Sequence, residues 1–137
     1  MKRISILLML LLATTDVMAA NWVGVAVSDG DDGNKVEFFY DSESLKISRN
    51  LRYAWTKASS QKKTEHGAGE ESSKIVDYVV TKLLYDCDGE TSRLMAMNWH
   101  YTDGSFHQAD VRGAASFPEE PDTVGYLVLK AICSIKR

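Results

Sequence analysis

The stretch "KLLYDCDGETSRL", residues 82–94, places the first of only two cysteines between an apolar run and an Asp-Gly pair. Glycine readily takes the positive φ that a tight hairpin turn requires, so Asp88-Gly89 predicts a turn between antiparallel strands. The flanking segments 74–86 and 91–102 are rich in β-branched and aromatic residues, which favour strands. The stretch therefore predicts a long β-hairpin with Cys87 at its tip.

Four more strands are predicted outward from this hairpin, at residues 22–27, 35–40, 51–56 and 105–111. Clusters of turn-forming residues separate neighbouring strands, and Asp103-Gly104 is a second strong hairpin signal. Residues 59–73 lack large apolar side chains and predict a surface loop. Six strands in chain order, joined by short turns, predict an antiparallel meander.

A C-terminal helix is predicted from Asp122 or Thr123, either of which can cap it, to about residue 135. One stripe of that helix is apolar and comprises Val124, Leu127, Val128, Ala131 and Ile135. An amphipathic helix of this length must bury its apolar stripe. We therefore expect an α+β fold, with a six-stranded antiparallel meander and the helix packed on it.

The N-terminus has the pattern of a secretory signal peptide. Lys2 and Arg3 precede a short apolar stretch, and small residues suitable for cleavage follow at Ala19 and Ala20. We expect residues 1–20 to be a signal peptide and residues 21–137 to form one domain. No cysteine lies near this junction, so a lipid anchor is not expected, and the mature chain has no other apolar tract of transmembrane length. The protein is expected in the periplasm, secreted or at the cell surface.

Export determines how the two cysteines are interpreted. An oxidising compartment favours disulfides, and two cysteines allow one intramolecular pair, Cys87–Cys133. A reactive thiol or a pair of metal ligands is the alternative. Neither cysteine lies in a C-x-x-C arrangement, which favours the disulfide.

Composition excludes one class of function. The chain has 137 residues, enough for one domain, and a formal net charge of −3. General nucleic-acid binders need a basic surface to displace counterions from phosphates. We expect no nucleic-acid partner.

Two histidines and an aspartate form the main candidate site. A two-residue turn at Asp103-Gly104 predicts that His100 faces His107 across the strands. A two-residue turn at Asp88-Gly89 places Asp77 opposite His100. These three residues could hold a metal or a small ligand, which is the alternative function, although three ligands from an inferred register are few. The other interpretation is a polar, solvent-facing strand surface, which leaves the protein without a metal.

The same register assigns a buried face to the long hairpin. Its predicted members are Val76, Tyr78, Val80, Met95, Met97, Trp99, Tyr101 and Phe106. Cys87 falls on the opposite, polar side. A disulfide to the helix then requires a bulge or a longer turn near Asp88.

Other candidate sites are weaker. Asp29, Asp31 and Asp32 resemble part of a calcium loop, but Gly33 and Tyr40 occupy positions where an EF-hand needs ligands. His66 lies in the polar loop without a partner nearby in sequence. No nucleophile elbow, phosphate loop or H-E-x-x-H motif is present, so neither catalysis nor a cofactor is expected.

The assembled pattern resembles the surface-adhesin protein E family of small exported bacterial proteins. The matching features, in chain order, are Trp22, "YDSESL" at 40–45, "YAWTK" at 53–57, "YDCDGETSRL" at 85–94 and "FPEEPDTVGYLVLKAIC" at 117–133. The resemblance implies a six-stranded antiparallel sheet with a C-terminal helix tied to it by the disulfide.

The resemblance also implies a non-enzymatic binding role, since the family includes an outer-surface protein that binds host vitronectin, laminin and plasminogen and forms dimers. We therefore expect a protein partner in the envelope or the host, with a homodimer through a sheet face or edge. Asp86, Asp88 and Glu90 make the hairpin tip acidic, whereas a basic segment is the natural contact for acidic host proteins.

Overall fold

The computed structural model describes residues 19–30, 32–66 and 74–136. Its elements are Trp22–Asp29 (β1), Lys35–Asp41 (β2), Lys46–Ser48 (β3), Leu51–Ser60 (β4), Glu65–His66 (β5), Lys74–Asp86 (β6), Thr91–Tyr101 (β7), Phe106–Ala109 (β8), Ser116–Pro118 (β9) and the helix Val124–Cys133 (α1). Most of the predicted signal peptide and part of the predicted loop 59–73 lie outside these ranges.

The sheet follows the predicted antiparallel meander. Six strands are hydrogen-bonded in the order β1-β2-β4-β6-β7-β8, and each corresponds to a predicted strand. The predicted count of six is wrong, because the short strands β3, β5 and β9 pair with β4, β6 and β7. These segments are only two or three residues long, too short to show a period of two in the sequence. Within the described ranges, no helix has the length and hydropathy to cross a bilayer.

The helix α1 packs on the sheet as predicted, and Val124 and Val128 of the predicted stripe contribute to the core. The Thr123 hydroxyl caps it by accepting a hydrogen bond from Tyr126 N at 3.2 Å. Leu129 and Ile132 are fully buried in a cluster with Ala54 of β4 and Tyr85 of β6. The predicted stripe is wrong in part, since Leu127 is 52% exposed. Cys133 lies one turn after Leu129 on the same side of the helix, so its disulfide turns Leu129 toward the sheet.

The disulfide Cys87–Cys133 is confirmed, with a Cα–Cα distance of 5.6 Å across 46 residues of chain. Cys87 begins a four-residue loop, 87–90, that joins β6 and β7, and its N–H donates to Asn50 O at 2.9 Å. The two-residue turn at Asp88-Gly89 is therefore wrong, and the longer turn expected near Asp88 is present. The bond fixes the C-terminal end of α1 to the tip of this hairpin.

A β-bulge in β7 determines which side chains share a face. Asp86 pairs with Thr91, as the predicted register requires, but the register shifts between Lys82 and Leu83, where Met95 is the extra residue. Because side chains alternate along a strand, a single extra residue exchanges the two faces beyond it.

Candidate functional site: the open face of the sheet

The structure does not bring His100 and His107 together. Tyr101 N donates to Ser105 O at 3.0 Å, so the loop that this bond closes between β7 and β8 has three residues, 102–104, with Gly104 at φ +83°. His100 therefore pairs with Phe106, while His107 pairs with Trp99. Adjacent residues of a strand point to opposite faces, so the two histidines lie on different faces of the sheet.

Asp77 is also separated from the predicted cluster. Tyr78, not Asp77, pairs with His100, because the Met95 bulge moves the register by one residue, and Asp77 is left unpaired where the register shifts back between Val76 and Tyr78. The Asp77 carboxylate instead forms a salt bridge with Lys63, whose Nζ lies 2.7 Å away. Among the described residues, no group of three His, Cys, Asp or Glu side chains is arranged to hold a metal ion.

The corrected register divides the sheet into two faces. One face contains Ala54, Leu83 and Tyr85 and is covered in part by α1. We call the opposite face the open face. Tyr78, Val80 and Phe106, predicted to be buried with Met97 and Trp99, lie on the open face, because the Met95 bulge and the three-residue loop separate the two groups.

The open face carries a row of rings with one cation among them. We call this set the aromatic row; it consists of Trp22, Phe39, Lys57, Tyr78, His100 and Phe106. Each residue comes from a different strand of the six-strand path. The row therefore crosses the whole sheet, and no single segment of sequence contains it.

Lys57 joins the first half of the aromatic row. Its Nζ lies 4.9 Å from the ring centroid of Trp22, 4.7 Å from that of Phe39 and 5.9 Å from that of Tyr78. These distances are within the range of cation–π attraction, which contributes about 0.5–1 kcal/mol at exposed sites. The ammonium has no carboxylate partner among the residues that the structure describes. Its charge thus remains available to an acidic group of another molecule.

Stacked rings form the second half of the aromatic row. The His100 ring lies 4.5 Å from the Tyr78 ring at an interplanar angle of 16°, and 5.9 Å from the Phe106 ring at 28°. Phe106 ends the row with 65% of its surface exposed, a large apolar area to leave in water. Beside the row, Lys82 Nζ lies 5.9 Å from the ring of Trp55, a second cation over an aromatic side chain.

The acidic residues of the hairpin tip have structural roles. Asp86 Oδ1 accepts hydrogen bonds from the backbone N–H groups of Asp88 and Gly89, both at 3.1 Å, and from Asn50 Nδ2 at 2.7 Å. These bonds, the Gly89 N–H first, lower the pKa of Asp86. Lys130 Nζ donates to Glu90 Oε1 at 2.8 Å and holds the pKa of Glu90 low. Both carboxylates thus stabilise the loop and the helix above it.

Sequence reasoning missed the aromatic row because its members lie far apart in the chain. A partial signal was present in β4, where Tyr53, Trp55 and Lys57 alternate with small or polar residues and so share one face. The contacts from Lys57 to Trp22 and Tyr78 required the strand order and register.

Comparison with proteins of known structure supports the fold. The crystal form II structure of Haemophilus influenzae protein E matches with a TM-score of 0.58 at 14% identity, covering 71% of this chain and 80% of that chain. Protein E from non-typeable Haemophilus influenzae matches with a TM-score of 0.54 at 14% identity, covering 85% of this chain and 86% of that chain. No functionally curated sequence matches significantly.

A comparison of sequence families identifies the chain more directly. The sequence profile of Surface-adhesin protein E matches residues 22–134, which include every strand of the meander, the helix and both cysteines. The chain belongs to the surface-adhesin protein E family.

Proposed function

We propose that the protein is an exported, non-enzymatic binding protein of the adhesin type, and that the aromatic row on its open face contacts a protein partner. The observation that carries this proposal is the Lys57 ammonium, which lies among aromatic rings on the open face and has no carboxylate partner within the described part of the chain. The family assignment supports an adhesin role, and the surface chemistry supports this location for it.

The composition of the aromatic row suits protein recognition. Aromatic side chains contribute large contact areas at little conformational cost and are enriched among residues that dominate binding energy. The strand backbone holds these side chains in place, so they lose little conformational entropy when a partner binds. The half-buried rings and the exposed Phe106 together provide a pre-organised apolar patch.

Lys57 and Lys82 define the chemistry of the partner. Both cations lie on the open face over aromatic rings, although the chain as a whole has a net charge of −3. A partner segment with apolar residues next to Asp or Glu complements this surface. We propose an extracellular host protein or an envelope protein with such a segment.

Export and cleavage after residue 20 belong to the same proposal. The family match begins at Trp22, two residues beyond the proposed cleavage position. Asn21 N lies 2.9 Å from Asp41 Oδ1, and Asp41 is only 8% exposed. Cleavage after Ala20 turns that nitrogen into an ammonium group, which pairs with the carboxylate. N-terminal sequencing of protein recovered from the cell envelope tests this assignment, because a chain that begins elsewhere contradicts it.

Binding to immobilised vitronectin, laminin and plasminogen tests the main proposal. The variants Lys57→Gln and Phe106→Ala alter the aromatic row, while Leu127→Ala changes an exposed apolar residue on the outer side of α1 and serves as the control. We expect each row variant to weaken binding about tenfold, the loss of roughly 1.4 kcal/mol, with Leu127→Ala close to wild type. Equal binding by all variants, or a loss only in Leu127→Ala, rejects the open face as the contact.

A homodimer is a second proposal, favoured by the outer edge of β1. This edge strand has eight residues, and it exposes the apolar side chains of Val23 and Val27 to 38% and 57%. Exposed edge strands readily pair with a second chain. Light scattering of the purified protein tests this, and Val27→Lys is expected to return a dimer to the monomer mass. A wild-type protein that remains monomeric at high concentration contradicts the proposal.

A further inference from the structure

A cavity of about 370 Å³ lies on the face of the sheet opposite the aromatic row, next to the N-terminal half of α1. Its wall is formed mainly by apolar side chains, including Phe38, Val79, Leu83, Met97, Trp99 and Val124. A volume of this size is within the usual range for small-molecule sites, roughly 300–1,000 Å³.

The cavity results from the different lengths of the helix and the strands. The ten residues of α1 extend about 15 Å, whereas the thirteen residues of β6 extend about 43 Å. The disulfide fixes the C-terminal end of α1 at the tip of the β6–β7 hairpin. The helix is therefore too short to cover the middle of the sheet. Apolar side chains from β2, β6 and β7 surround the uncovered space next to its N-terminal turn.

One carboxylate stands in this wall. Glu119 accepts a hydrogen bond from the Ser92 hydroxyl, whose residue is 1% exposed. Gly125 in the first turn of α1 makes room for it, because a Cβ atom there would collide with Glu119 Oε2. Lys57 also contributes to the wall, but its ammonium lies over the rings of the open face. The charged group that faces the cavity is thus an anion.

The remaining polar groups of the wall are hydroxyls. Thr56 Oγ1 and Thr81 Oγ1 bond each other at 2.6 Å. The Tyr85 hydroxyl is buried near Thr56, but it makes no hydrogen bond of ordinary distance and angle with the described residues. Burial, together with the nearby Glu119 charge, raises the pKa of Tyr85, so this hydroxyl keeps its proton and stays a donor. A ligand with an acceptor oxygen near the Tyr85 hydroxyl gains a hydrogen bond that the protein alone does not supply.

From the apolar wall, the single carboxylate and the unused hydroxyl donor, we propose that this cavity binds one uncharged apolar molecule per chain and disfavours its anionic analogues. Burying an anion beside Glu119 costs desolvation and charge repulsion, whereas a neutral molecule buries apolar surface beside the same carboxylate without that repulsion. The cavity and the rings of the aromatic row lie on opposite faces of the sheet, although Phe39 and Lys57 of the row also border the cavity.

Two fluorescent probes with the same ring system test the charge preference. N-phenyl-1-naphthylamine is neutral, and 1-anilinonaphthalene-8-sulfonate adds one negative group to that scaffold. We expect saturable binding of the neutral probe at one site per disulfide-bonded chain, with the sulfonate probe at least about tenfold weaker. Glu119→Gln is expected to strengthen binding of the sulfonate probe more than that of the neutral probe.

A matched pair of substitutions on β6 tests the location. Val79→Phe fills the cavity, while Val80→Phe makes the same change one residue along, on the open face. We expect Val79→Phe to lower the affinity for the neutral probe at least about tenfold, and Val80→Phe to lower it less than about twofold. Ala58→Leu also adds bulk to the same wall and is expected to weaken binding of the neutral probe as well. Circular dichroism melts show whether each variant is folded.

The outcomes separate clearly. Saturable neutral-probe binding that is lost in folded Val79→Phe and kept in Val80→Phe supports the site. The inference is overturned if the folded wild type does not bind the neutral probe, if both β6 variants weaken it equally, or if the sulfonate probe binds as tightly as the neutral one.

Discussion

His100 stacks against Phe106, with ring centroids 5.9 Å apart, across the pair of strands that was expected to bring His100 and His107 together. The difference is a single residue in the loop. A loop of three residues, closed by Gly104 in the left-handed region, places Phe106 opposite His100 and His107 opposite Trp99. The same geometry separates the predicted metal ligands and completes the aromatic row.

Zinc is expected to leave the thermal stability of the protein unchanged. His100 and His107 lie on opposite faces, and the Asp77 carboxylate is paired with Lys63. Melting curves of wild type, His100→Ala and His107→Ala, each with and without zinc chloride, measure this. A rise in Tm with zinc that both histidine variants abolish would show that the two side chains share a metal.

Gly104→Ala is expected to destabilise the protein by about 1–2 kcal/mol, the cost of placing a Cβ in left-handed backbone. A Cβ at Gly104 has no atom within 4 Å, so the cost comes from the backbone at φ +83° and not from a clash. Urea unfolding measures it. Gly104→Asn should cost less, and Gly24→Ala, where a Cβ would meet Phe39 atoms at ordinary distances of 3.8 Å, serves as the control. Equal effects at Gly104 and Gly24 would contradict the backbone explanation.

Removal of the disulfide by the paired change Cys87→Ser and Cys133→Ser is expected to lower the free energy of unfolding by roughly 4 kcal/mol, by the chain-entropy argument for a long loop. The separation of 46 residues sets this magnitude. The C-terminal end of α1 should lose protection in hydrogen exchange before the sheet does. Unfolding of the reduced wild-type protein is the matched measurement. If the free energy of unfolding changes by less than about 1 kcal/mol both in the double variant and on reduction, the packing of Leu129 and Ile132 alone holds the helix.

Gly125→Ala is expected to have opposite effects in two backgrounds. In wild type the new methyl displaces the Glu119 carboxylate and leaves the buried Ser92 hydroxyl without its acceptor, a loss of about 1–3 kcal/mol. In Glu119→Ala that bond is already absent, so the helix propensity of alanine should stabilise the protein by up to about 1 kcal/mol. A double-mutant cycle by urea unfolding measures the coupling, and additive effects would show that Glu119 moves aside without cost.

Acid is expected to remove a stabilising contribution of Asp103. Hydrogen bonds from Ser105, with help from Lys74, lower the pKa of Asp103 to about 2 from a usual 3.8. A carboxyl whose folded pKa lies below its unfolded pKa stabilises the fold above the unfolded value, and this contribution disappears as the pH falls through the folded value. The stability of Asp103→Asn should therefore depend less on pH between about 4 and 2 than that of wild type. Glu120→Gln, at an exposed position, is the control; equal slopes for Asp103→Asn and wild type would contradict the assignment.

Several features followed from the sequence because their causes are local. The alternation of apolar residues predicted the six strands of the main path, and the Asp-Gly pairs predicted where two hairpins turn. The start of the helix, with Thr123 as one of two predicted caps, and the pairing of two cysteines in an exported chain required no knowledge of distant contacts. Each of these features depends on the conformational preference of a few adjacent residues or, for the disulfide, on the number of cysteines.

Tertiary structure alone decided which side chains share a face. The extra residue at Met95 and the third residue in the β7–β8 loop exchange inward and outward positions, although neither changes the strand pattern that the sequence displays. The rotation of α1 likewise follows from where Cys133 must reach Cys87. A shift of one residue costs little locally, and it is selected only by the packing of the whole sheet against the helix. For that reason the sequence determined the strands, the helix and the disulfide, while the aromatic row and the cavity exist only in the folded protein.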